Sequence, residues 1–271
     1  MGVTERNADG LDAIYFTEEQ RYLFDTRGWL AFPGVLEPEE ARTMREFCVR
    51  LRNERETIPE KHRSSIGGPL ERLTDHPLVL GFMNEFLAHP PLATAEGYGF
   101  RLENSFLSYR VAGSGKFEPH GGSGFLNFPG NSHEYHIVRG KAHSGLTRVV
   151  WELNPVEYRK GGTVFLTGSH KAAFPRPAST QEESSPLWDT YECPAGSVLF
   201  FTEAITHSQA HWTMETDRVA IFSCYNTIGA KWHEWEPHPD HLAEMPPLRR
   251  TLFRGVYCQN NSVGPGYRME D

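Results

Sequence analysis

Three residues, far apart in the chain, have the types needed for metal and anion chemistry. His120 stands in Glu118-Pro119-His120-Gly121-Gly122 and His207 in Ala204-Ile205-Thr206-His207-Ser208-Gln209, and Arg218 opens the apolar run Val219-Ala220-Ile221-Phe222 eleven positions after His207. Two imidazoles on neighbouring strands can grip one metal ion, and a guanidinium close by can hold a dicarboxylate against it. An arginine inside an apolar fold is costly unless it meets an anion. For Arg218 that anion is either a ligand carboxylate or a structural partner, Asp217 or a glutamate.

The chain has 13 histidines, so spacing and surroundings have to select among them. A second cluster, His133-Glu134-Tyr135-His136, offers alternative ligands in His133, His136 and Glu134. It is one residue short of the His-Glu-x-x-His zinc motif and is not a metalloprotease signature. His120 is preferred because a strand and a Gly-rich turn lead directly into it. His207 and His211 have i, i+4 spacing, but nothing around them indicates a helix. Phosphate-cradling loops, nucleophile elbows and dinucleotide fingerprints are not found.

The elements that must position these residues fall into two groups. Thr17 with Gln20 forms a capping box, and Gly28 stops the helix that follows. Pro38 with Glu39 and Glu40 announces a second helix to about Arg52, with Ala41, Met44, Phe47, Cys48 and Leu51 on its core face. Residues 53–72 are irregular, and Pro77 to Leu87 forms a third helix that ends before His89-Pro90-Pro91. From about residue 97 the pattern becomes short strands: Ser105–Val111, Thr147–Asn154, Thr163–Leu166, Ser197–Thr202 and Val219–Asn226. Strands at that spacing without intervening helices predict an antiparallel sandwich or barrel. The expected organisation is one domain over 1–271, with a helical part at 16–90, a β core at 97–226 and a wrapping segment at 227–271.

Composition narrows the partners. The chain has 271 residues and a formal net charge of −8. Its pI is near 5.9 and its mean hydropathy −0.52. That acidic balance argues against a nucleic-acid backbone as ligand, and no apolar run is long enough to cross a bilayer. Arg101, Arg110, Lys116, Arg139, Lys141 and Arg148 gather around the first histidine segment, as a solvated rim or as an attraction for an anionic substrate. The N-terminus has no basic-then-apolar leader, which points to the cytoplasm. Cys48, Cys193, Cys224 and Cys258 form no C-x-x-C pair and read as reduced thiols. Oligomeric state is not legible.

The chain resembles the phytanoyl-CoA dioxygenase family of iron(II) and 2-oxoglutarate-dependent oxygenases. The resemblance rests on Trp151-Glu152-Leu153-Asn154 and on Gly161-Gly162-Thr163-Val164-Phe165-Leu166-Thr167-Gly168-Ser169-His170-Lys171. It extends to Gly196-Ser197-Val198-Leu199-Phe200-Phe201, to His207 with Arg218, and to the opening segment Gly28-Trp29-Leu30-Ala31-Phe32-Pro33-Gly34. It covers residues 16 to 226 and implies a mainly β fold with flanking helices, built on a double-stranded β-helix (a jelly-roll, cupin-like core). It also implies that His120 and His207 hold Fe(II), that Arg218 binds the distal carboxylate of 2-oxoglutarate beside Ser208, and that Trp151 walls the pocket. Tyr109, Arg110 and Tyr135 are candidate substrate contacts, and His170 reads as a structural turn residue.

At the first motif the chain departs from the family. Members carry His-x-Asp where this chain has His120-Gly121-Gly122, so the third iron position is open to water, halide or a carboxylate from elsewhere. Three outcomes follow for a small-molecule substrate. They are hydroxylation of a C–H bond, halogenation with chloride at the position the acid leaves, and a ligand-binding barrel without catalysis.

Overall fold

The computed structural model describes residues 3–88, 93, 96–122 and 132–256. Helix α1 (Glu18–Arg27) has the expected reciprocal capping box between Thr17 and Gln20 and ends on Gly28 in the left-handed region, φ 81°. A Cβ on Gly28 would lie 2.6 Å from His170 Nδ1, so both backbone sign and proximity require glycine. His170 donates from Nε2 to the Asp25 carbonyl at 2.9 Å. This buried turn contact is the structural role expected for it.

Strand β1 (Trp29–Phe32) is followed by α2 (Pro38–Asn53), which buries Ala41, Met44, Cys48 and Leu51, and by α3 (Pro77–Phe86), which is buried on nearly every side. The remaining strands are β2 (Phe100–Arg110), β3 (His136–Val138), β4 (Lys141–His143), β5 (Thr147–Glu152), β6 (Thr163–Phe165), β7 (Ser197–Thr202), β8 (His207–Gln209) and β9 (Arg218–Thr227). Five of them form an antiparallel sheet in the order β1-β7-β5-β9-β2. β6 and β8 form a smaller antiparallel pair, widened at the level of His207 by bridges from His120 to His207 and from Phe165 to Asp189.

Strand alternation divides the interior. Val149, Trp151, Val198, Phe200, Val219, Ile221 and Tyr225 pack toward the helices, beside Phe16, Phe24, Phe82 and Phe86. Val150, Leu199, Phe201, Ala220 and Phe222 point the other way and join Phe165, Tyr191 and Trp212 in a second cluster, which lies between the sheets. The same parity sends Arg148, Glu152 and Arg218 into that second space. Three charged side chains that bear on the site are therefore gathered there.

The five expected strands are present, with β2 beginning at Phe100 rather than Ser105. The β3–β4 hairpin, β8, and two helices in the wrapping segment, α4 (Pro239–Glu244) and α5 (Pro247–Arg250), were not foreseen. Each is short and lacks an apolar repeat, so neighbouring surfaces rather than local preference define it. Among the described residues no helix is long and apolar enough to cross a membrane. Cys48, Cys193 and Cys224 are free and buried, as read; Cys258 lies outside the described residues.

Gly28→Ala tests how tightly the α1 turn is fixed. It should lower the free energy of unfolding by roughly 1–3 kcal/mol, read as a shift in denaturant midpoint. A change within measurement error would mean that the His170 contact yields without strain.

Candidate metal centre

The site begins with backbone. His120 N–H donates to the His207 carbonyl at 3.0 Å and His207 N–H returns a bond to the His120 carbonyl at 2.9 Å. This two-way exchange sets the rings side by side, with centroids 4.3 Å apart. In each histidine Nδ1 faces the carbonyl two residues earlier, that of Glu118 at 2.8 Å and that of Ile205 at 2.9 Å. A carbonyl oxygen only accepts, so Nδ1 carries the proton and Nε2 keeps its lone pair in both rings. Burial, only partly offset by the charge of Glu203, holds His207 down to about 4, so it is a neutral imidazole at physiological pH.

A carboxylate stands beside His207, at a position that the sequence reading missed. Glu203 lies with Oε2 3.6 Å from His207 Nε2 and forms a buried ion pair with Arg148 through its other oxygen. Burial alone would raise its pKa, but the charge of Arg148 and the hydrogen bond that Arg148 donates outweigh it and hold Glu203 down to about 2. An ionised carboxylate and imidazole nitrogens are donor types that suit a divalent iron site with open positions. The ligand atoms of His120, His207 and Glu203 do not all lie within 4.8 Å of one another, so the His120 ring has to turn for the three to share one ion. A usable signal was present in the sequence: an acid four positions before His207 in a segment otherwise made of small and apolar residues.

Both histidines, Glu203, Arg148, Ser208 and Arg110 line one cavity of about 470 Å³, with Phe106, Phe201, Phe222 and Trp232 as its aromatic walls. A larger cavity of about 760 Å³ meets His120 and Gly121 from the far side and is bounded by residues 166–187. It does not reach His207, so the smaller one is the candidate reaction chamber.

The other expected contacts are distributed differently. Trp151 is fully buried and faces the helices, with its ring 5.0 Å from that of His76; strand parity turns it away from the cavity it was expected to wall. Tyr109 points outward for the same reason, donating to Asp217 beneath the Arg52 guanidinium, whereas its neighbour Arg110 points in. Tyr135 donates to Asp25 beside α1 and is not a pocket residue. His136 pairs with Glu134 at 2.9 Å at the start of the β3–β4 hairpin, and neither lines the chamber. His133 does line it, with its ring 4.5 Å from that of Trp232. Ser208 accepts the Glu118 N–H at 2.9 Å, a bond that helps to seat the His120 segment.

Arg218 was expected to clamp a ligand carboxylate with two bonds. Its fork instead meets Glu152, Nε to Oε2 at 3.1 Å and Nη2 to Oε1, and Tyr191 donates to the same carboxylate at 2.5 Å. This is the structural pair with a glutamate that the sequence reading left open.

Gly121 and Gly122 both have positive φ, 73° and 89°. A Cβ on Gly121 would lie 2.5 Å from the Ile205 carbonyl oxygen, and one on Gly122 would overlap Thr206 Oγ1. An acid at position 122 thus has no path to the metal centre without moving the backbone.

Among the described residues one triple has all its ligand atoms within 4.8 Å of one another, Glu103, Cys224 and His233. It reads as a structural knot. The Glu103 carboxylate already accepts from Asn226, from the Trp232 N–H and from His233, and burial pushes the Cys224 thiol well up, keeping it protonated.

No family model matches the chain, and no curated protein does either. Solved structures do. HygX from Streptomyces hygroscopicus, with nickel, 2-oxoglutarate and hygromycin B bound, is 24% identical over 83% of this chain and 94% of that one, with a TM-score of 0.64. The chain shares its fold. The non-heme monooxygenase ThoJ, in its nickel complex, is 19% identical over 76% of each chain, with a TM-score of 0.53. The non-heme alpha ketoglutarate dependent epimerase SnoN from nogalamycin biosynthesis is 17% identical over 78% of this chain and 83% of that one, also with a TM-score of 0.53.

Two variants probe the cluster. Glu203→Gln leaves Arg148 without its counter-charge and should cost roughly 3 kcal/mol in unfolding free energy, part of which returns in the double variant with Arg148→Met. Additive losses in that cycle would show the pair to be uncoupled. Gly122→Asp should lower the melting temperature without strengthening metal binding, measured by titration calorimetry; tighter binding would mean that the backbone opens to admit the acid.

Proposed function

We propose that the chain is an iron(II) and 2-oxoglutarate-dependent oxygenase of the phytanoyl-CoA dioxygenase kind. In this reading it has a double-stranded β-helix core, works in the cytoplasm and hydroxylates a C–H bond of a small organic molecule. The observation that carries the reading is the pair of Nε2-free imidazoles beside a buried, ionised carboxylate. Fold likeness to HygX, ThoJ and SnoN supports it, as do the nickel and 2-oxoglutarate with which HygX was crystallised.

His120, His207 and Glu203 would hold the iron. Iron and 2-oxoglutarate together supply the means of activating O₂, with succinate and CO₂ as co-products. The chain's own residues do the rest by geometry. The bonds from Nδ1 to the Glu118 and Ile205 carbonyls hold the rings in their tautomers, and Arg148 keeps Glu203 ionised. Phe201 packs 4.9 Å from His207, and Phe106 stacks on Phe222 at 5.0 Å, giving the chamber apolar walls that limit water. His120 is exposed, so its ring has room to turn toward an incoming ion.

Halogenation was the alternative drawn from the missing acid at position 122. Glu203 weighs against it, since a carboxylate stands ready where a halide would otherwise complete the iron's ligands. The direction of Gly122 toward Thr206 weighs against it too, because the space freed by glycine does not open onto the centre.

The test is succinate formation from 2-oxoglutarate, with and without Fe(II), O₂ and chloride. Hydroxylation predicts dependence on iron and oxygen and indifference to chloride. His207→Ala and Glu203→Ala should each weaken metal binding by at least roughly tenfold. A halogenated product formed only with chloride would replace this reading by the alternative. Absence of 2-oxoglutarate consumption under every condition would reduce the chain to a binding protein.

A further inference from the structure

One wall of the chamber carries the Arg110 guanidinium, which among the described residues pairs with no carboxylate. Arg110 is the last residue of β2, and Arg218, the first of β9, is its register partner. Parity turns both guanidinium groups inward. Glu152 is committed to Arg218, and among the described residues no other carboxylate lies within ion-pair distance of either arginine. Two guanidinium groups and one carboxylate leave one positive charge without a counter-ion, on the half-buried Arg110 at the chamber wall. Arg110 finds only long contacts, from Nη1 to the Gly161 and Ala210 carbonyls at 3.4 Å each. Burial first, and then the charge of Arg218, push Arg110 down to about 10. Arg218 Nη1 is itself buried with no hydrogen-bond partner.

A half-buried guanidinium that makes only long hydrogen bonds gains from an arriving carboxylate, which can take two short ones. The distance is suitable. Ala210, beside Arg110, lies three residues after His207, roughly 10 Å along the strand. A five-carbon oxo acid with one end at the metal can reach across that span.

We infer that Arg110, which lines the chamber, receives the far carboxylate of 2-oxoglutarate, with the Arg218–Glu152 pair fully buried behind it. This rests on the oxygenase reading, and it differs from the resemblance, which gives that role to Arg218 alone. Glu152 occupies the edge of Arg218 that would otherwise form the two-bond clamp, so the principal grip passes to the neighbouring arginine.

The experiment compares 2-oxoglutarate with 2-oxobutyrate, which has the same oxo-acid end and no far carboxylate. Binding to the nickel-loaded protein is followed by titration calorimetry, so no turnover is involved. The wild-type chain should prefer 2-oxoglutarate by roughly 10- to 100-fold, the value of one or two charge-assisted hydrogen bonds. Arg110→Ala should erase the preference while nickel stoichiometry and 2-oxobutyrate affinity stay unchanged. Arg110→Lys, which keeps the charge and the packing, should retain part of it. If Arg110→Ala and Arg110→Lys both bind 2-oxoglutarate as the wild type does, the assignment to Arg110 falls and the oxygenase reading stands. If the wild-type protein itself shows no preference, both fall.

Discussion

The candidate centre depends on one reciprocal pair of backbone hydrogen bonds, between His120 and His207. Neither segment has much structure of its own. β8 is three residues long, and the His120 segment is a single bridge beyond a glycine-containing loop. Pairing them fixes the separation and facing of two rings that are 87 positions apart in the chain. It also places Ser208 where it accepts the Glu118 N–H, so the same register that aligns the rings secures the loop carrying one of them. An antiparallel pair shifted by one residue would turn every side chain in it to the opposite face. The exchange between these two residues therefore decides whether the site exists.

Two buried ion pairs are anchored on strand β5, one lining the chamber and one buried behind its wall. Arg148 and Glu152 lie on the same face, four residues apart, with opposite charges. Each meets its complement from another part of the chain, Glu203 for the first and Arg218 for the second. Near the histidines this leaves an anionic oxygen beside the two imidazole rings, a setting for a cation. At the other end it leaves excess positive charge, a setting for an anion. One strand thus gives the cavity opposite electrostatic character at its two ends, and a ligand that carries a metal-binding head and an anionic tail fits that polarity.

Much of this was legible in the residue pattern. The capping box at Thr17, the stop at Gly28, the second helix with its core stripe, and five strands follow from local rules, and the structure reproduces them within a few residues. The pairing of His120 with His207 was legible only through resemblance, since no local rule joins positions that far apart. Trp151 and Tyr109 were misplaced although strand alternation could have corrected both. Arg148 and Arg110 were assigned to a basic cluster, and the same count in twos puts Trp151 and Tyr109 on the opposite face from them. Glu203 carries no signature of its own, because the family motif puts the acid two residues after the first histidine and here an acid stands four residues before the second. The partner of Arg218 was named only as a class, because choosing Glu152 requires knowing that β5 and β9 are neighbours.

The contact between Gly122 and Thr206 also bears on how such a chain can change by descent. A relative with aspartate at the position of Gly122 needs a backbone with ordinary φ there and a smaller or displaced residue facing it. Neither change helps without the other, and an acid gained at 122 while Glu203 persists would add a second negative charge to a site that already has one. Three coordinated substitutions therefore separate the two ligand sets. A chain whose acid stands in the turn before the second histidine is thus held to that arrangement by sterics and by charge.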